Sequence, residues 1–443
     1  MNKTAKHCLS VLIFLTMLTG ALMLLDYLLV PISRADFFLH DMERMKKKGP
    51  GVDMVIIGNS HYLYGFEPLV FEEVLGFENA YNASVTGLEI SSKYYITEAM
   101  IKDFHPKAVL FDVDWISLYD RGSEITQSKL LGLDRLKGIQ KIRHIVSDFL
   151  PSERIYALLR AYRFRDRLFW DGAIAGNVKL KRWAESTNYE IDYYQTQKGY
   201  DKGLACTEQP FSKIRSEGKF DEFLIFDHSK RYLDMIVDLC RSENIPLFLV
   251  TSPVSTVQQM NIGNYQGAVD YYSQYAAEKG VHYFDMNMLK QRDEIFNDSV
   301  MSDAGHLCET GAAIASRICA EIIRDELNGI DTGSRFYRSM DELSSDIKRV
   351  VAVGADIEED GKFLHIRNIR ATAGSGMRIF LNAEISENGT AYDPIIQTVS
   401  NGESVDIPLG SLDSGTVYIR ITGTDRESGS TASAVYTITI EDR

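Results

Sequence analysis

Along the middle of the chain, short apolar runs stopped by glycine or a polar turn alternate with longer segments in which apolar residues recur every three or four positions. The short runs lie at 53–58 (DMVIIG), 108–113 (AVLFDV), 246–250 (PLFLV) and, more weakly, 281–284, with a further strand expected just before Asn82. Their unbroken apolar character predicts strands of a parallel sheet buried on both faces. The helical patterns fall at 90–104, 265–279 and 310–327. Strand, helix, strand alternation requires crossover connections and therefore an open α/β sheet.

Residues from about 121 to 235 interrupt this alternation with a helix-rich, aromatic and charged insertion that includes RIYALLRAYRFRDRLFW at 154–170. A long insertion between sheet strands borders or covers the site at the strands' C-terminal ends. Its Arg and aromatic side chains suit a sugar polymer, another membrane protein, or a plain amphipathic cap with a solvated basic face. Past Gly329 short alternating runs at 362–367, 377–383, 417–422 and 434–440 are separated by Gly, Asn, Asp and Ser. They predict an antiparallel β-sandwich of about 100 residues beginning near residue 340. It carries no obvious catalytic set, and a carbohydrate-binding or spacer role is an expectation resting on its class alone.

At the other end, 8–25 contains no charged residue, and the apolar character resumes after Asp26 until Pro31. A helix of that length crosses the roughly 30 Å hydrocarbon core. Lys3, Lys6 and His7 before it favour a cytoplasmic N-terminus, against Arg34 and Lys46-Lys47-Lys48 beyond it. The expectation is a single-pass anchor with the body outside the cytoplasm; a cleaved signal peptide is the alternative, although the apolar core is longer than such segments have. The chain thus divides into tip and anchor (1–31), an α/β domain (32–330) and a β-sandwich (340–443).

Composition narrows the function. A formal charge of −14 argues against a nucleic-acid partner, because neutralising phosphates needs a basic field. The five cysteines, Cys8, Cys206, Cys240, Cys308 and Cys319, form no CxxC pair and no dense framework; a single bridge, 206–240 or 308–319, is left open.

Three blocks carry candidate chemistry. Gly58-Asn59-Ser60-His61 follows the first strand, so Ser60 faces the crevice where open α/β sheets place ligands, although a serine in that turn serves equally as a helix N-cap. Asn82-Ala83-Ser84-Val85-Thr86-Gly87 follows the second strand, and a glycine there lets a backbone N–H approach a ligand or simply makes a turn. Far downstream, Ser302-Asp303-Ala304-Gly305-His306 precedes the last α/β helix. A carboxylate three residues before an imidazole can orient it while the other ring nitrogen faces a serine; an Asx turn beside a surface histidine has the same spelling.

Taken together and in order, these blocks resemble the SGNH (GDSL-like) hydrolase superfamily over about 53 to 325. The resemblance implies a flavodoxin-like parallel sheet with helices on both faces and no metal or dissociable cofactor. It makes Ser60 the nucleophile and an oxyanion donor through its own N–H, Gly87 the next donor, His306 the general base and Asp303 its orienter. One block departs: where the family has Gly-x-Asn-Asp after the third strand, this chain reads Asp112-Val113-Asp114-Trp115-Ile116-Ser117. Losing one oxyanion donor typically costs about 3–4 kcal/mol. Asp114 and Trp115 are left to shape an acyl or acceptor pocket, or to close the strand.

The Ser60-His61 pair, the anchor, the insertion and the Thr251-Ser252-Pro253-Val254-Ser255 loop look more like the extracytoplasmic branch that includes DltD-like teichoic-acid D-alanylation proteins and alginate O-acetylation proteins. That branch implies a membrane-bound O-acyltransferase as partner and a cell-surface polysaccharide or teichoic-acid-like polymer as substrate. The readings it leaves are an acyltransferase, a carbohydrate esterase, and a non-catalytic binding or assembly partner with the same fold.

Overall fold

The computed structural model describes residues 3–49, 51–122, 125–186, 196–214, 218–399, 401–412 and 414–440. Parts of the insertion (123–124, 187–195 and 215–217) therefore lie outside the described residues. The chain begins with α1 (Lys3–Leu29), followed by α2 (Arg34–Lys48), whose Phe38, Met42 and Met45 pack into the core of the body. The Asp36 carboxylate accepts the Ser33 N–H at 2.9 Å, holding the start of α2, and pairs with Arg160 at 2.7 Å. With a mean hydropathy of 2.4 and its apolar window unburied, α1 is long and apolar enough to cross a membrane; a signal sequence passes the same test.

Five parallel strands build the central sheet: β1 (Met54–Ile57), β2 (Ala80–Asn82), β3 (Ala108–Asp112), β4 (Leu247–Thr251) and β5 (His282–Asp285). Their order is β2-β1-β3-β4-β5, the flavodoxin-like doubly wound order, so the expected α/β class holds. The register pairs Met54 with Ala80 on one side and Ala108 on the other. Alternate residues go to opposite faces, as the two-residue period of a strand requires. Val55, Ile57, Val109, Phe111, Leu247 and Leu249 enter one core layer, whereas Met54, Ile56, Leu110, Phe248 and Val250 enter the other.

The helices of the sheet are α3 (Ser60–Gly65), α4 (Pro68–Leu75) and α5 (Ile90–Phe104) in the first half. The insertion supplies α6 (Gln127–Leu133), α7 (Gly138–Asp148), α8 (Arg154–Leu158), α9 (Arg160–Arg163) and α10 (Ala173–Ser186). Helix α11 (Asp227–Ser242) buries Tyr232, Leu233, Ile236 and Val237 in the layer that α5 also covers. It is the crossover helix to β4, so the inserted part closes before Asp227, earlier than the pattern predicts. Beyond β4 come α12 (Thr256–Asn261), α13 (Tyr265–Lys279), α14 (Arg292–Ile295) and α15 (Glu309–Leu327).

After a short α16 (Met340–Asp346), seven antiparallel strands form two facing sheets. They are β6 (Val350–Glu359), β7 (Phe363–Ala373), β8 (Ile379–Ser386), β9 (Asp393–Val399), β10 (Glu403–Pro408), β11 (Gly415–Asp425) and β12 (Thr431–Ile440). One sheet runs β9-β8-β11-β12 and the other β10-β7-β6, with Leu364 and Ile366 of one meeting Leu381, Ile419 and Ile421 of the other in a shared core. The sandwich is stitched to the body by Ile214 N–H to Val353 O and Val353 N–H to Ser212 O, both 2.9 Å. Arg349 adds two bonds to Asp293, at 2.9 and 2.8 Å.

The cysteine expectation is corrected. Cys206 pairs with Cys308, Cα to Cα 4.9 Å across 102 residues of sequence, while Cys240 and Cys319 are buried as free thiols. The reason is topological: Cys240 lies on α11 in one core layer and Cys319 on α15 in the other. Cys308 caps the start of α15, three helical turns before Cys319, too far for a bridge.

Replacing Cys206 by Ser is expected to cost about 2–4 kcal/mol in denaturant unfolding, because a long loop in the unfolded chain is released. Non-reducing peptide mapping should recover a 206–308 cross-link, and Cys240 and Cys319 should resist thiol reagents until the protein unfolds.

Candidate active site

At the end of β1 the chain must turn sharply against its neighbours, and Gly58 makes this feasible: a Cβ there would overlap the Tyr62 ring and the Asp112 side chain. Asn59 is the N-cap of α3, its side-chain oxygen accepting His61 N–H at 2.9 Å. Its Nδ2 donates to Asp114 Oδ2 at 2.9 Å and its backbone N–H to Asp112 Oδ2 at 3.1 Å. Capping is thus performed by Asn59, not by Ser60, and the serine hydroxyl is left for another partner.

That partner is His306, whose Nε2 lies 2.9 Å from Ser60 Oγ. On its other side, His306 Nδ1 lies 2.9 Å from both oxygens of Asp303. With Nδ1–H donating to the carboxylate, Nε2 is the nitrogen left to accept the serine proton. Asp303 Oδ1 also accepts the N–H groups of Gly305 (2.8 Å) and His306 (2.9 Å), so the Asx turn and the imidazole contact occur together. The hydrogen bond from His306 holds the Asp303 carboxyl down at about 2, so it is ionised at neutral pH.

Two further rings from α3 flank the imidazole: His61, with ring centroids 5.1 Å apart, and Tyr64, edge-on at 5.9 Å. Burial pushes the His61 imidazole down to about 4, so at neutral pH it adds no positive charge beside His306. Gly305 brings its Cα to within a side chain's reach of Gln258 and His61: a Cβ there would stand 3.0 Å from Gln258 Oε1 and 3.5 Å from His61 Nε2. Asp303, with 61% of its side chain exposed, and His306, with 26%, leave the site open to solvent.

The second block is joined to this turn through other atoms than expected. Asn82 Nδ2 donates to Tyr62 O (2.8 Å) and Phe66 O (2.9 Å), capping the end of α3, and Val85 N–H donates to Gly58 O at 3.1 Å. Gly87 is exposed in a left-handed turn, φ 66°, with Ser128 so close that a Cβ would strike its hydroxyl. Asp114 is 7% exposed and both its oxygens are engaged, one by Asn59 and the other by Ile116 N–H and Ser117 Oγ, each at 2.9 Å. Trp115 packs edge-on to Tyr119 and against Gly218 in the insertion.

Two buried networks beneath the site have no local sequence signature. Lys93 Nζ, on α5, donates to Asp112 Oδ2 at 2.8 Å in a pair with side-chain exposures of 2% and 0%. Burial nevertheless pushes Asp112 up to about 6 against the pull of that ammonium and of Asn59 N–H. Under the histidine loop, Ser255 N–H donates to Ala304 O at 2.9 Å, and Ser255 Oγ caps α12 through Gln258 N–H at 3.1 Å. The loop that carries Ser255 is held by Asn287, which accepts Val254 N–H (2.8 Å) and donates to Ser252 O (2.9 Å). Arg292, 1% exposed, binds Val254 O, Thr256 Oγ1 and Gln259 Oε1. On the far side of the loop, the Cys206–Cys308 bridge fixes the chain two residues after the imidazole.

No protein-family model matches the chain, and no curated protein matches it. Among solved structures, a candidate lipolytic protein of the G-D-S-L family from Desulfitobacterium hafniense DCB-2 is similar at 11% identity and a TM-score of 0.30, over 61% of this chain and 99% of that one. A candidate acylhydrolase from Bacteroides fragilis NCTC 9343 is similar at 10% identity and a TM-score of 0.29, over 66% of this chain and 96% of that one. Likeness this distant carries no inference about activity, which rests on the chain's own geometry.

In ring-resolved NMR titration, His61 should stay neutral down to about pH 5 and protonate near 4; a midpoint near the ordinary 6.5 would overturn its assignment as a buried neutral ring. Because the unfolded chain takes up that proton near 6.5 and the native one only near 4, the contribution of His61 to stability is lost as pH falls between those values. Lys93→Met should cost about 3–5 kcal/mol by stranding the Asp112 carboxylate, and a Lys93→Met/Asp112→Asn pair should recover part of it in equilibrium unfolding.

Proposed function

We propose that the chain is a serine-dependent acyl-transfer enzyme of SGNH type, an O-acyltransferase or carbohydrate esterase acting on hydroxyls of a cell-surface glycopolymer. The observation that carries this reading is the continuous contact from Ser60 Oγ through the two nitrogens of His306 to Asp303, each step 2.9 Å, at the C-terminal ends of the strands. In this mechanism Ser60 Oγ gives its proton to His306 Nε2 and bonds to the acyl carbonyl carbon. The tetrahedral intermediate collapses, His306 returns the proton to the departing oxygen, and an ester remains on Ser60. A sugar hydroxyl or water, deprotonated by the same nitrogen, then attacks that ester and frees the serine. Asp303 stays ionised and holds the tautomer.

By the resemblance, the Ser60 N–H and Gly87 N–H are the oxyanion donors, and the amide that relatives place after the third strand has no counterpart at Asp114. With both Asp114 oxygens already bound by protein donors, this position supports positioning of the Asn59 turn more than contact with an acyl group. A thinner oxyanion hole disfavours a vigorous free esterase and favours a transferase, or an assembly partner that has kept the fold. The resemblance supplies a membrane-bound O-acyltransferase as the donor of acyl groups. In this reading α1 is an uncleaved anchor with its N-terminus in the cytoplasm and the body outside, and the Cys206–Cys308 bridge suits such an oxidising compartment.

A fluorophosphonate probe should label the wild-type protein and fail to label Ser60→Ala, whose turnover of an activated acetyl ester should fall by roughly 10⁴–10⁶-fold. Intact-mass measurement should find one acyl group on Ser60, discharged faster when acceptor glycan is added. Equal labelling of both proteins would remove Ser60 from the chemistry and leave the assembly-partner reading.

A further inference from the structure

The last turn of α1 is built into the folded body. Asn177 on α10, 3% exposed, directs Nδ2 to the carbonyls of Leu28 and Val30, both at 2.9 Å. Lys181 Nζ donates to Tyr27 O at 2.6 Å and sits 4.9 Å from the Tyr27 ring centroid. Arg167 Nη1 donates to Leu29 O at 3.2 Å. The last carbonyls of a helix have no partner within it, and here the insertion provides them. The point where the apolar helix ends is therefore fixed relative to α10 and the segment that joins it to α9.

Beside that point the insertion exposes large apolar side chains that the rest of the body does not cover. Leu168 is 50% exposed, Phe169 86% and Trp170 61%, directly after the arginine that caps Leu29 O. Residues 154–183 carry eight basic side chains and two acidic ones, in a chain whose formal charge is −14. Arg165, Lys179 and Arg182 among them are exposed. Aromatic rings mixed with Arg and Lys, level with the end of a spanning helix, are the composition of the membrane–water interface. Basic side chains there are drawn to anionic headgroups.

We infer that the insertion is a membrane seat: the Leu168-Phe169-Trp170 tip enters the headgroup region of the same bilayer that α1 crosses, beside the exit of α1, with its basic neighbours on anionic lipid. The inference rests on α1 remaining as an uncleaved span, and it is independent of the acyl-transfer reading. The occupant is lipid and not a protein, because the tip adjoins the end of the span and carries the aromatic and basic mixture that lipid headgroups select.

The test uses the full chain in bilayer discs of phosphatidylethanolamine and phosphatidylglycerol. Lipids brominated near the carbonyl end of the acyl chain should quench tryptophan emission more than lipids brominated near the terminal methyl. Trp170→Phe should remove most of that difference. Trypsin cleavage after Arg165 and Arg167 should slow at least severalfold in discs relative to detergent, a readout that needs no substitution. Quenching indifferent to Trp170→Phe, together with unslowed cleavage in discs, would overturn the seat. Protection seen only in native membranes would assign the tip to a protein partner and also overturn it. A mature chain whose mass lacks α1 would remove the anchor itself, whereas loss of esterase activity in Ser60→Ala has no bearing on this result.

Discussion

The position of Ser60 depends on a carboxylate buried beneath it. Asp112, at the end of the central strand β3, is sealed from water and held by the ammonium of Lys93 from the helix behind it. The same carboxylate oxygen, Oδ2, accepts the N–H of Asn59, which sets where β1 stops and where α3 begins. An isolated charge at that depth would be costly, and the pair makes sense as a rigid peg, since breaking either half strands the other. Two residues on, Asp114 holds the side chain of the same asparagine. Two carboxylates, at the last residue of β3 and two positions beyond it, thus fix the turn that presents Ser60.

The histidine is positioned by different means. Its loop closes on itself through Ser302 N–H to His306 O at 2.8 Å and the Asp303 turn, and is held from outside by Ser255 on the neighbouring loop and by the bridge at Cys308. The neighbouring loop is in turn stiffened by Asn287 and Arg292, and Arg349 of the sandwich closes the stack through Asp293. The C-terminal module therefore has a structural connection to the site: its first strand and its arginine brace the elements that brace His306.

Much of this was legible from pattern. The apolar runs at 53–58 and 108–113 contain β1 and β3, and the periodic segments at 90–104 and 265–279 coincide with α5 and α13, because both kinds of signal are local. Ser60, Asp303 and His306 were singled out by their places after β1 and before α15, and the structure brings all three together. Partners chosen by the fold were not legible. Cys308 meets Cys206 and not Cys319, Lys93 meets Asp112, and Asn82 caps α3, since each contact joins elements that only the sheet order makes neighbours. The strands β9 and β10 escaped as well, their polar residues masking the alternation in 393–408.

The grip of Asn177 and Lys181 on the end of α1 removes the swivel that a flexible tether would provide. A helix joined rigidly to a globular body acts as a lever: if its apolar length exceeds the local hydrocarbon thickness it tilts, and the body must tilt with it. If α1 spans a bilayer, the angle of the open mouth of the sheet to that bilayer varies with the thickness of the lipid. In such a protein, lipid composition becomes a mechanical input to the orientation of the site, transmitted through four capped carbonyls.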